Sequence, residues 1–290
     1  MSSNNALCIN EEFQALLSDY THGAAVLTRH LLQLIINLSG SVNIVQNDLE
    51  QALGLLRKAH PEMVSLRQAI ALILKRVEEG TDAGTASQEL EHKWNAHLER
   101  VTEIAAAYLA QHKRVLTISY SGLVRDAILK ATAQGSIIEA YLGEGRPKYE
   151  GLTFARELAN KGVPCTVFAD AAFSSFYNEI DCVLVGADAV GPSSLLNKIG
   201  TTAILREARA RDIPSAVAYD FLKVVEDGGF PDLIAEYPAE ELLAGGLAPQ
   251  GADGDAGPIR LPNCLRAVNR YFEEVPLHLI DVELTDSQQE

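Results

Sequence analysis

From residue 114 the chain alternates short apolar runs with helical segments, and this alternation restricts the possible folds more than any other feature. In order it reads RVLTI, LVRDAILKATAQ, IIEAYL, GLTFARELANK, PCTVFA, a short helical stretch over 171–178, CVLVGA, a helix over 199–211 and PSAVAY. Strand, helix and strand in this succession predict an α/β fold with a parallel, doubly wound sheet, because parallel neighbours need a right-handed crossover packed on the sheet. HLIDVEL at 278–284 is read as a last strand. Residues 226–258, rich in Gly, Pro, Asp and Ala, read as a long irregular insertion.

The preceding residues follow another period. Phe13, Leu16, Leu17 and Tyr20, then Ala24, Leu27, Leu31, Leu32, Ile35 and Ile36, recur at helix spacing, with Gly23 breaking or kinking the run. Segments 48–59 and 62–79 repeat the pattern, with Pro61 suited to the first turn of the second. GTDAGTASQ at 80–88 is a loop by composition, and 89–111 form a long helix with Trp94, Leu98, Val101, Ala105 and Tyr108 on one stripe. The expected division is a helical domain over 1–110 and an α/β domain over 111–290.

Charge narrows the function. The balance of 24 Lys+Arg against 39 Asp+Glu gives −15, so neither nucleic acid nor an anionic membrane is an expected partner through net field, and any phosphate site must be local. No run approaches the roughly 18 to 20 uncharged apolar residues of a membrane span, and MSSNNALCINEE has no signal-peptide pattern. A cytoplasmic protein is expected. Cys8, Cys165, Cys182 and Cys264 form no CxxC and lack a flanking histidine pair, so they are read as buried free thiols and no metal is expected. No GxGxxG follows a strand, which leaves no expected dinucleotide or other cofactor.

Ligands of such sheets sit beyond the carboxyl ends of the strands. Ser119-Tyr120-Ser121-Gly122 follows RVLTI and offers two hydroxyls; Ser121 also suits a helix N-cap. Arg146, in GEGRP after IIEAYL, is either an oxyanion-binding guanidinium or a solvated loop residue. Asp188 follows CVLVGA, where desolvation would raise a carboxyl and suit proton transfer. Asn197-Lys198-Ile199-Gly200-Thr201 is read as a helix start, with an amide, a point charge for phosphate and a glycine that admits a ligand to the helix amino end.

VGADAV (185–190) and NKIGT (197–201), with GRPKYEG (145–151), NRYFEEVP (269–276), THGAAVL (21–27) and HPEMVSL (60–66), resemble one superfamily across essentially the whole chain. It contains the alpha, beta and delta subunits of eukaryotic translation initiation factor 2B, ribose-1,5-bisphosphate isomerase and methylthioribose-1-phosphate isomerase. The resemblance implies a helical N-terminal domain on a Rossmann-like C-terminal domain, a homodimer formed through the latter, and a phosphorylated pentose between the domains. It implies catalytic roles for Asp188 and for Ser119, which stands where the isomerases have a cysteine in Thr-His-Cys-Asn. A serine hydroxyl is far less acidic than a thiol and needs an additional base.

By the same resemblance His22 and His60 stand where the isomerases carry phosphate-binding arginines, and histidine lacks the arginine fork. Gly23, Ser121, Arg146, Asn197, Lys198 and Lys223 complete the implied binding set. The chain is most similar to an alpha-type subunit or a free-standing relative. The expectation is therefore a protein that binds a sugar phosphate or nucleoside monophosphate, with aldose–ketose isomerisation as its reaction if one survives. The competing expectation is a regulatory or assembly subunit that acts in translation through protein interaction.

Overall fold

The computed structural model describes residues 10–19, 23–40, 46–226, 230, 236–243, 264 and 266–286. The first layer is helical: α1 (Glu11–Leu17), α2 (Ala24–Ser39), α3 (Gln46–Ala59), α4 (Val64–Glu78) and α5 (Ala83–Leu109). Phe13, Leu27, Leu31, Leu32, Ile35, Leu49, Leu53, Leu56 and Trp94 are fully buried between them, each side chain contributing about 2 kcal/mol by leaving water. Gly23 separates α1 from α2 as the N-cap of α2, so the expected break is a new helix start.

Two local readings change. Pro61 precedes α4, whose N-cap is Met63, because the chain turns between His60 and Met63 before the helix begins. The 80–88 stretch is mostly helix: Asp82 caps α5 by accepting the Thr85 amide at 2.9 Å. Ala83 and Ala86 are buried there, and a Cβ on Gly84 would come within 2.5 Å of Ser39 Cβ. Close packing of α5 on α2 thus selects the small residues that composition alone assigns to a loop.

The second layer is a six-stranded, wholly parallel sheet, with order β3-β2-β1-β4-β7-β9. Its strands are β1 (Arg114–Thr117), β2 (Glu139–Gly143), β3 (Cys165–Phe168), β4 (Cys182–Gly186), β7 (Ser215–Ala218) and β9 (Val282–Leu284). Helices α6 (Gly122–Ala133), α7 (Glu150–Asn160) and α8 (Thr201–Ala210) connect them. Side chains alternate: Cys182 and Leu184 face the core shared with α5, α6 and α7, while Val183 and Val185 face the core shared with α8. Both faces are covered, as a doubly wound sheet requires. The expected last strand shortens to β9, because Leu277–Leu279 form a 3-10 turn.

A second sheet lies beside the first: β5 (Ala189–Val190), β6 (Ser194–Lys198) and β8 (Phe272–Pro276), all antiparallel. This corrects the reading of NKIGT, since Asn197 and Lys198 end a strand paired on both sides and the helix begins only at Thr201. The cysteine reading is corrected too: Cys182 is buried, Cys165 half-buried and Cys264 exposed. Cys8 and most of 226–258 lie outside the described residues; within the latter, α9 (Ala239–Leu243) is a short helix.

Helix α5 joins the layers. Its first half, with Leu90 and Trp94, belongs to the helical core, and its second half, with Val101, Ala105, Ala106 and Leu109, packs on the parallel sheet. The Trp94 indole donates to Asp220 Oδ1 at 3.0 Å and Gln68 donates to the Val224 carbonyl at 3.0 Å. His97 meets the Phe221 ring edge-on at 5.1 Å.

Candidate active site

The strand order reverses between β1 and β4, and their carboxyl ends form the crevice that ligands of open α/β sheets use. Ser119 lies just past β1 and Asp188 just past β4. Ser119 has φ 64°, a left-handed conformation that costs a non-glycine residue about 1 kcal/mol or more. Its hydroxyl donates to Glu150 Oε1 at 3.1 Å. Glu150 is the first residue of α7, where the helix dipole favours a negative charge. Its position depends on Gly151, whose Cβ would lie 1.9 Å from the Gly143 carbonyl oxygen, so α7 can abut the end of β2 only with glycine there.

Lys198 is 5% exposed and its ammonium pairs with the same Glu150 Oε1. It also lies 5.5 Å from the centre of the Tyr271 ring. Glu150 Oε2 is buried and has no hydrogen-bond partner among the described residues. Asp188 is half-buried. Burial pushes its carboxyl above the ordinary range, opposed by the Lys223 and Lys198 ammoniums and reinforced by Glu150. Lys223 donates to the Ala187 carbonyl, one residue away. Ser119, Glu150, Asp188, Lys198 and Lys223 therefore form one electrostatic cluster of two acids, two ammoniums and a hydroxyl.

The other expected site residues are placed differently. Ser121 caps α6, accepting the Val124 amide at 3.4 Å, and it sits against Gly186, whose Cβ would meet its Oγ at 2.6 Å. Asn197 donates its amide to Thr201 Oγ1 at 3.1 Å and braces the turn into α8. The Arg146 guanidinium donates to the Tyr149 hydroxyl and the Leu242 carbonyl, each at 2.5 Å. His60 is fully buried, its Nε2 donating to the Leu16 carbonyl at 2.8 Å inside the helical layer. Gly23 is exposed at the start of α2, and His22 lies outside the described residues.

The amino end of α8 does not await an anion. Glu273 on β8 already accepts the Gly200 and Thr202 amides at 2.8 and 2.9 Å, a carboxylate from within the chain at the place reserved in the sequence reading for a ligand. Gly200 itself has φ 103°, which glycine alone adopts without strain. Glu150, Glu273, Tyr271 and Tyr237 were missed. The first three lie within GRPKYEG and NRYFEEVP, where nothing local marks them as facing the site. Tyr237 stacks on Tyr271 with ring centres 3.7 Å apart, and its buried hydroxyl has no hydrogen-bond partner among the described residues. Burial raises the Tyr237 hydroxyl well above its usual range, with Glu62, Asp188 and Glu241 adding to the effect.

The cluster can hold an anion on two ammoniums and pass protons through two carboxyl groups. Among the described residues no group of three or more His, Cys, Asp and Glu has the arrangement of a metal site, and no helix is long and apolar enough to cross a membrane.

Comparison with known proteins gives a coherent result. The model of the Initiation factor 2 subunit family matches residues 21–287. Ribose 1,5-bisphosphate isomerase of Haloferax volcanii is 34% identical over 176 residues, spanning 58% of this chain and only 54% of that protein. Translation initiation factor eIF2B subunit alpha of Caenorhabditis elegans is 26% identical over 240 residues, 77% of this chain and 78% of that one. The crystal structure of the Pyrococcus horikoshii translation initiation factor eIF-2B superposes with a TM-score of 0.76 at 21% identity, covering 95% of this chain and 94% of that one, a likeness of fold.

Proposed function

The chain belongs to the Initiation factor 2 subunit family, and from that premise we propose that it binds a small phosphorylated ligand beside Asp188 and isomerises an aldose phosphate to a ketose phosphate. The ligand class is a sugar phosphate or a nucleoside monophosphate, and the reaction applies to the former. The observation that carries this reading is the half-buried Asp188 carboxyl, raised by desolvation, beside the Lys198 and Lys223 ammoniums at the β1/β4 crevice. Lys198 and Lys223 hold the phosphate as point charges. A carboxyl raised above its ordinary range is shifted in the direction that an acid/base group of an isomerase needs.

The proposal extends to a cytoplasmic homodimer joined through the α/β part. Light scattering of the purified chain reads the dimer directly, and a monomeric mass would remove that element. The central test is phosphorus NMR of the protein with ribose 1,5-bisphosphate, methylthioribose 1-phosphate, ribose 5-phosphate and AMP, with Asp188→Asn as control. A ketose-phosphate signal that the variant does not produce is the expected result. Shifted ligand signals without product would leave binding and remove the reaction, and a silent panel would remove both.

Two observations favour a second reading. Ser119 offers no thiol, and the eIF2B alpha relative aligns over 77% of the chain. A regulatory or assembly subunit of a translation factor would keep the fold without turnover. It predicts that Asp188→Asn leaves cellular activity intact and that a stable protein partner co-purifies.

A further inference from the structure

Glu150 has an unusual set of partners. Oε1 takes both the Ser119 hydroxyl and the Lys198 ammonium, while Oε2 is buried with no hydrogen-bond donor among the described residues. Buried carboxylate oxygens are nearly always satisfied, so an oxygen held without a donor calls for an explanation. Glu150 also lies close enough to Asp188 to act on its charge. A serine at the end of β1 cannot move a proton alone near neutrality, and the carboxylate that would make such a site competent is the one this serine touches.

We propose that Glu150 is the second proton-transfer group of the site, taking a carbon-bound hydrogen of the sugar phosphate on Oε2 while Ser119 and Lys198 hold Oε1. The proposal rests on the isomerase reading above. For a ring-closed aldose 1-phosphate, Glu150 takes the hydrogen from C2 as a proton. The C2–H electron pair becomes the C1=C2 double bond as the bond from C1 to the ring oxygen breaks, and Asp188 gives its proton to that oxygen. Asp188 then removes the proton of the C2 hydroxyl, the C2 carbonyl forms, and C1 takes the proton held by Glu150. One hydrogen has moved from C2 to C1 and one from O2 to the former ring oxygen. Both carboxyl groups return to their starting states, with no oxidant or reductant.

The division of labour follows from the surroundings. Asp188 has the ammoniums of Lys223 and Lys198 near it but a larger burial effect, which raises its carboxyl above the ordinary range, the direction a proton donor needs. Glu150 has the Lys198 ammonium in direct contact and the favourable end of α7 behind it, both of which attract negative charge.

The test is turnover of ribose 1,5-bisphosphate in deuterium oxide by the full chain. Product is read by phosphorus NMR and deuterium at C1 by proton NMR. Wild type is expected to form ketose phosphate, with deuterium at C1 in those turnovers in which the proton on Glu150 exchanges with solvent before it is passed on. Glu150→Gln, which keeps the shape, is expected to lose about 100-fold or more in kcat with KM within a few-fold, and to lower the melting temperature because the buried Lys198 ammonium loses its partner, so rates are compared at a temperature where both proteins are folded. Ser119→Cys in the Glu150→Gln background is expected to restore part of the rate. If Glu150→Gln does not fold, Glu150→Asp serves, with a displaced pH–rate profile expected. Wild-type turnover with an unimpaired Glu150→Gln, or a loss confined to KM, would overturn this assignment alone. No wild-type ketose phosphate would overturn the isomerase reading and this proposal with it.

Discussion

Two aspartates bracket the same strand and behave in opposite ways. Asp181 stands immediately before β4 and Asp188 just beyond its carboxyl end. Asp181 accepts the Lys113 and Arg114 amides at 3.1 and 3.0 Å and the Arg114 guanidinium at 3.0 Å. Partial burial pushes its carboxyl up, but these donors together hold it below the ordinary range. Asp188 meets ammoniums through space and burial wins, so its carboxyl is raised. At the amino edge of the sheet Asp281 resembles Asp181, accepting the Ser215 amide and hydroxyl at 2.9 and 3.0 Å. The amino edge thus satisfies its charges, while the carboxyl edge keeps Asp188 and Glu150 chemically available. Shifted carboxyl groups cluster at functional sites, which is why the proposed site is assigned to the carboxyl edge, where Asp188 is raised.

The comparison breaks most visibly at Asp188. Asp188→Asn is expected to cost about 10²- to 10⁴-fold in turnover with little change in urea midpoint, read by the phosphorus NMR assay and equilibrium unfolding. A fully active variant would place Asp188 with the structural aspartates. Next comes Lys198→Ala, which leaves the Glu150 charge uncompensated in a largely closed site. It is expected to cost about 3 kcal/mol of stability and to abolish phosphate binding, whereas Lys58→Ala, on an exposed face of α3, changes neither.

Asp220 sharpens the contrast, because it too lies at the carboxyl edge, after β7, yet is satisfied by the Trp94 indole and the Leu222 amide. Trp94→Phe is expected to cost about 1 to 3 kcal/mol by removing one donor, with ligand affinity unchanged by calorimetry. Asp181→Asn should cost about 1 to 2 kcal/mol, the exposed ion pair itself adding little, and leave turnover untouched.

The smallest effect is the pH dependence of stability. Asp181 binds a proton less readily when folded, so its contribution is present above about pH 4 and is lost as pH falls through its folded pKa. Asp188 binds a proton more readily when folded. Its protonated form favours the fold below about pH 4, and that advantage is lost as pH rises through its folded pKa. Urea midpoints across the acid range should therefore show Asp181→Asn flattening the loss on acidification and Asp188→Asn flattening the loss on raising pH. Slopes identical to wild type in both variants would sink the contrast.

Much of this was legible in the chain. Apolar runs of strand length separated by helix-period segments determined a parallel sheet, because only a crossover helix joins parallel neighbours. Asp188, Ser119 and Lys223 could be assigned to positions after strands because strand ends are local features, whereas Lys198, read as a helix start, ends β6. The antiparallel sheet was not legible in NKIGT, since pairing of β6 with β8 joins residues more than seventy positions apart and nothing within five residues encodes it. The helical 80–88 stretch was lost for a related reason, as Gly84 is chosen by its approach to Ser39 on another helix.

The sequence by itself determined the element types and order, the absence of a general basic surface, and the strand end at which an acid would stand, because these depend on periodicity, net charge and position along one segment. Tertiary structure alone decided which charges meet. Two carboxylates that read alike in sequence went to opposite tasks: Glu273 fills the amino end of α8, and Glu150 joins Ser119 and Lys198 at the crevice. A carboxylate's behaviour is set by its desolvation and by the donors it meets, and both are properties of the folded neighbourhood.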